Sequence, residues 1–143
     1  MIAVKNDTTY PVILSVPIQD RQLKGKYKVV RLSQLARQAL EISALKSGIF
    51  LKSLLKDSSG VPRPFNGYYW SLTHKSTYVG AVIASAQIGI DIEKIRPIQT
   101  SIFAKTANEE EWMLANEDPV LLFFRYWTSK EAVLKAAATG LKD

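Results

Sequence analysis

Residues 68–93 hold three apolar stretches of strand character in close succession: YYWSLTHK, YVGAVIA and QIGIDIE. Val, Ile, Tyr and Trp dominate them, and Ser76 and Thr77 join the first two. Strands this close in sequence leave no room for a crossover helix, so the run predicts an antiparallel meander. The third stretch alternates. Ile88, Ile90 and Ile92 fall on one side, while Gln87, Gly89, Asp91 and Glu93 fall on the other. Two carboxylates at i and i+2 of a strand share a face at about 7 Å along the backbone. That is close enough to share one ion, with Gly89 leaving room in front of them. Magnesium is a hard cation that takes oxygen ligands of this kind. A solvent-facing strand is the simpler alternative.

The flanking sequence supplies the other elements. YPVILSVP (10–17) reads as a short strand closed by proline. The basic segment 21–31 carries Lys24, Lys26, Lys28 and Arg31. Ser33 has the form of a helix cap, Leu35, Ala39 and Ile42 keep helical spacing, and Gly48 is the expected stop. Glycines, prolines and serines make 55–67 a loop. Pro97 ends the strand region, and 94–106 is expected to be a connector. Asn108 and Glu111 stand as a capping box, with Glu109 and Glu110 in the first turn. Asp118–Pro119 then opens a helix predicted to run to Gly140. These elements predict an α+β fold, a small antiparallel sheet with helices packed against it.

Bulk properties bound the chemistry. The chain has 143 residues, 47% of them apolar, enough for one domain with a real core. It has no cysteine, which excludes a disulfide framework, thiolate metal sites and a cysteine nucleophile. No apolar run approaches the ~18 residues of a membrane helix, and MIAVKNDTTYPV lacks the layout of a signal peptide. A cytoplasmic setting is expected. The net charge of +6 calls for an anionic partner. The basic segment lacks the aromatic interleaving of a nucleic-acid groove, and no Walker motif, GxGxxG turn or serine–histidine–acid arrangement is present.

Two further groups allow a plain and a sharp reading. Trp127, Glu131 and Lys135 lie at i, i+4 and i+8, with Lys130 beside them. They form either a solvated face with an ion pair worth ~0.3–0.5 kcal/mol, or a carboxylate between two ammonium groups, suited to a metal-bound polyphosphate. His74 is the only histidine, between Thr73 and Lys75. It is either structural or part of an anion contact.

IGIDIEKIRP, followed some forty residues on by WTSKEAVLKAAATGL, resembles the paired signature of the 4′-phosphopantetheinyl transferases. The segment SLTHK…YVGAVIA resembles the family's serine–histidine strand. With a helical, basic section before the motifs, the surfactin-synthetase (Sfp-like) type fits best, over roughly residues 31 to 141. The resemblance implies transfer of the phosphopantetheine arm of coenzyme A to a serine of an apo acyl or peptidyl carrier protein, with adenosine 3′,5′-bisphosphate leaving. It implies Asp91, Glu93 and Glu131 as ligands of magnesium, or of manganese, which oxygen ligands accept as well. Glu131 is implied as the base, and Lys130 and Lys135 as phosphate contacts, with Lys135 catalytic alongside Glu131. Thr73, His74 and Lys75 are implied at the 3′-phosphate, and Arg37 at the nucleotide. Two positions depart from the family pattern. Val61 stands where a lysine often follows the loop glycine, a charge that Arg63 or Lys75 would supply. Lys75 stands where serine is common. Family members continue past the matching GL into strands that complete a second, pseudo-symmetric half. Residues 1–97 are therefore expected to form the first half and 98–143 the helical start of an incomplete second. Phe123, Phe124 and Leu134 would then expose apolar faces that need cover or self-association. A catalytically silent module that binds coenzyme A or a carrier protein is the alternative function.

Overall fold

The computed structural model describes residues 8–140. Its sheet has three strands, β1 (Val12–Ser15), β2 (Tyr69–His74) and β3 (Tyr78–Ala84), ordered β1-β3-β2 and antiparallel throughout. Helix α1 (Ile18–Arg21) is one turn, and α2 (Gly25–Ser47) is the long helix of the N-terminal part. After β3 come a 3-10 turn (Thr100–Ile102), two single-turn helices, α3 (Phe103–Thr106) and α4 (Glu109–Trp112), and the long α5 (Pro119–Gly140).

Helix α2 covers one face of the sheet. Its buried residues Leu32, Leu35, Ala36, Ala39, Leu40, Ser43 and Ala44 follow the i, i+3, i+4, i+7 spacing of an apolar stripe. They pack against Val12, Trp70, Ala81 and Ile83 at one end and against Val16 and Val79 at the other. One polar group sits in this layer with both of its capacities used. The Ser43 hydroxyl donates to the Tyr10 carbonyl at 2.6 Å and accepts the Ile83 N–H at 3.2 Å. The β1–β3 ladder ends at Val12 opposite Ala81, so the hydroxyl supplies the partner that β1 no longer gives Ile83. Gly48 ends the helix in the left-handed region at φ 71°, as expected. The start differs. The helix begins at Gly25, not at Ser33, which lies within it, and no side chain caps it.

The expected meander is corrected at its third strand. Residues 87–93 carry no strand pairing, and β1 takes the other side of β3 instead. The segment lies against the face of β2 that Ser71 and Thr73 present. The Ile90 N–H donates to the Ser71 hydroxyl at 3.1 Å, which replaces a ladder bond with a side-chain bond. The connector 94–106 is partly helical, and its turn residues cover α5. Phe103 meets Trp112 at 5.3 Å and Phe123 at 5.7 Å, and Phe123 meets Phe124 edge-on at 5.1 Å. Phe123 and Phe124 are therefore buried within the chain, contrary to expectation, while Val133 and Leu134 stay exposed. Among the described residues no helix is long and apolar enough to cross a membrane.

The capping box forms as read from the sequence. The Glu111 N–H donates to Asn108 Oδ1 at 2.8 Å, and the Asn108 N–H donates to the Glu111 carboxylate at 3.2 Å. The Asn108 bond, then Lys130 at 3.1 Å, draw the Glu111 carboxyl below its ordinary pKa. Asn108→Ala is expected to cost about 1 kcal/mol, read as a lower urea midpoint at unchanged slope. An unchanged midpoint would show that the Asn108 cap contributes nothing to the stability of α4.

Candidate functional site

The segment 89–93 is clamped between β2 and α5. At Gly89 the clamp is a backbone contact. A Cβ there would lie 2.0 Å from the Ala132 carbonyl oxygen and 2.9 Å from the Ala136 nitrogen. The room that glycine leaves is thus filled by helix α5. Lys135 extends from the same side of the helix and closes the clamp. Its ammonium donates to the Ile90 carbonyl at 2.8 Å and the Leu72 carbonyl at 3.1 Å, and stands 3.8 Å from Asp91. A cation thus joins two backbone segments that have no ladder between them. Burial lowers the Lys135 pKa, and Asp91 partly restores it.

The two carboxylates of the segment sit in different surroundings. Thr73, itself buried, donates to Asp91 Oδ1 at 3.4 Å, while Asp91 Oδ2 is buried with no hydrogen-bond partner among the described residues. A buried carboxylate oxygen in that state is costly and calls for an electropositive partner. Glu93 is fully engaged, with Lys75 at 2.9 Å on one oxygen and Arg96 at 3.3 Å on the other. Burial pushes the Glu93 carboxyl up, but Lys75 and Arg96 outweigh it and hold the pKa below its ordinary value. Arg96 is fixed in turn by the Lys94 carbonyl at 3.2 Å and by the Phe124 ring at 5.2 Å. Asp91, Glu93, Lys75 and Thr128 line a cleft of about 370 Å³.

A second, smaller cavity of about 180 Å³ opens beside it, lined by Lys56, Val61, Leu72 and Lys135. His74, at the exposed end of β2, has its pKa lowered by burial first, then by the positive charges of Lys56, Lys135 and Lys75. A neutral imidazole among three lysines is a surface that an incoming anion would complete. A larger cavity, about 750 Å³, lies between α3, α4 and α5, with Phe103, Trp112, Glu109 and Glu117 among its lining residues. None of its lining residues is a lysine or arginine that could meet a phosphate.

The residues singled out from sequence divide accordingly. Asp91, Glu93, Thr73, His74, Lys75 and Lys135 come together. Glu131 lies one turn from Lys135 and acts on it electrostatically, but among the described residues no three acidic or histidine side chains converge as a cation-binding group. Lys130 faces elsewhere, donating to the Thr106 carbonyl at 2.8 Å and pairing with Glu111. Arg63 is exposed in the loop, where its carbonyl accepts the Trp70 indole N–H at 2.7 Å. Arg37 is half-buried on α2. Sequence reasoning missed Lys56, Arg96 and Thr128. Only Arg96 carried a signal, its placement three residues after Glu93.

The carboxylate segment and the lysine-bearing helix α5 both lie in the stretch of this chain that matches known proteins in sequence. Residues 87–143 match the model of the 4′-phosphopantetheinyl transferase superfamily. The 4′-phosphopantetheinyl transferase HetI of Nostoc sp. is 36% identical over 83 residues, 53% of this chain and 35% of its own. The transferase psf-1 of Bacillus pumilus is 29% identical over 85 residues, 57% of this chain and 36% of its own. Sfp of Bacillus subtilis is 30% identical over 77 residues, 51% of this chain and 34% of its own. The matched stretch thus spans about a third of the length of these relatives.

Proposed function

We propose that the protein transfers the 4′-phosphopantetheine arm of coenzyme A to a serine of an apo carrier protein. The serine oxygen would bond to the phosphorus that bears the arm. The bond from that phosphorus to the adenosine bisphosphate oxygen breaks, and adenosine 3′,5′-bisphosphate leaves with the electron pair. The single observation that carries this reading is the buried, unpartnered Asp91 Oδ2 on the segment shared with the transferases, beside Lys75, Lys135 and His74. That oxygen fits a divalent cation, magnesium or manganese. Asp91 would hold it, with Glu93 and Glu131 as the further ligands the resemblance implies. When bound, such a cation neutralises charge on a diphosphate as a Lewis acid.

The chain's own groups have separate tasks. Lys135 holds Ile90 and Leu72 together and so fixes where Asp91 points. Lys75, Lys56 and His74 would receive phosphate, with Lys56 standing near where the family's loop lysine is absent. Glu131, one turn from Lys135, is the candidate to take the serine proton. The direct test is incubation with coenzyme A, magnesium and a panel of apo carriers, read as the mass gain of the arm. A silent module that binds coenzyme A is the second reading, favoured by the absence of three converging acidic groups among the described residues. Coenzyme A binding without a mass gain on any carrier would select it.

The His74 environment gives a pH dependence. Its pKa in the free protein lies below 6.5, and a neighbouring phosphate favours the charged ring and raises it. Bound protein therefore takes up a proton as pH falls from about 7.5 toward 6, and His74 contributes more to affinity at the lower value. The coenzyme A affinities of the parent and of His74→Gln should diverge over that range, by calorimetry at both pH values. Parallel curves would remove His74 from the anion site.

A further inference from the structure

The three cations around the two carboxylates are not held alike. Lys135 is fixed by two main-chain carbonyls and Arg96 by a carbonyl and an aromatic ring. Lys75 has Glu93 as its one ion-pair partner among the described residues, and its side chain is 40% exposed. Its backbone is anchored at the end of β2 by a bond to the Tyr78 carbonyl, so only the side chain is free to move. Two carboxylates paired with Lys75, Arg96 and Lys135 leave one positive charge in excess, and Lys94 at the cleft, with no ion pair among the described residues, adds to it. A divalent cation arriving alone meets that excess and finds both Glu93 oxygens taken. A polyanion arriving with it reverses the local charge and offers Lys75 a new partner within reach of the same cleft.

We propose that Lys75 is a resident counter-ion of Glu93 that yields to a divalent cation only when a polyphosphate takes it over, so that cation and nucleotide bind together. The coupling belongs to chains with a lysine at this position, and Lys75 stands where serine is common in the family the sequence resembles. It rests on the transferase reading for the identity of the polyanion, while the counter-ion role rests on the ion pair alone. The experiment is manganous-ion binding to the full chain, by electron paramagnetic resonance, without and with coenzyme A. Parent, Lys75→Gln and Lys94→Gln are compared, with thermal unfolding to confirm that each is folded. Lys94 lines the same cleft without pairing to Glu93, so its loss controls for net charge. Lys75→Gln should tighten binding of manganese alone about tenfold and lose most of the gain that coenzyme A gives the parent. Lys94→Gln should stay within about twofold of the parent. A Lys75→Gln no tighter than Lys94→Gln overturns the counter-ion role, whatever coenzyme A does. A parent that gains nothing from coenzyme A, while Lys75→Gln does tighten, overturns the coupling and marks failure of the transferase reading.

Discussion

Replacing Gly89 with alanine is expected to destabilise the protein by about 3 kcal/mol, at the upper end of what added core volume costs. The added carbon would meet the Ala132 carbonyl oxygen at 2.0 Å and two more main-chain atoms at 2.9 Å. Those neighbours are the helix backbone, so no shortened side chain on α5 makes room. Either the segment or the helix must move, and Lys135 then loses its span between Leu72 and Ile90. A urea titration should show a lower midpoint, and Ala132→Gly in the same chain should not restore it. A Gly89→Ala protein within about 0.5 kcal/mol of the parent would mean that the segment does not rest on the helix.

Asp91→Asn should lower arm transfer at least a hundredfold while leaving the unfolding midpoint nearly in place. The amide keeps the volume and can still accept from Thr73. Stability changes little because the carboxylate it replaces holds one oxygen with no partner. Lys135 keeps its two carbonyl partners. Mass analysis of the carrier and a parallel denaturation series separate the two effects. Transfer within about tenfold of the parent would dismiss Asp91 as a cation ligand. A collapse of stability would make its role structural.

What could be read from sequence followed where local physics decides alone. The capping box at Asn108 and the left-handed Gly48 are local, and both stand where expected. The start of α2 was hidden because its first two turns bury nothing. The buried stripe begins at Leu32, and Lys24 caps the helix with no side-chain bond. Alternation in QIGIDIE pointed to a strand, yet alternation reports only that two sides differ. What lies on each side is set by Ser71, Thr73 and Lys135, up to 45 residues away in the chain. The carboxylates could be named in advance for the same reason that their partners could not. Asp91 and Glu93 stand in a recognisable string, whereas Lys56 belongs to a loop whose composition resembles any other. The exposed aromatics expected on α5 were misjudged because Phe103 lay in a stretch read as plain connector.

The lysine that spans Leu72 and Ile90 also sets when the site exists. It closes a contact 63 residues long, and α5 reaches the sheet through β2, at the rim opposite β1. The layer of α2 and the strands has its own core, built with no residue of α5. A transient lifting of the last helix would thus dismantle the carboxylate clamp while the rest of the molecule stays assembled. In amide exchange, protection around Ile90 should follow the helix and not the sheet, so the working geometry would be a docking equilibrium layered on a fold that stands without it.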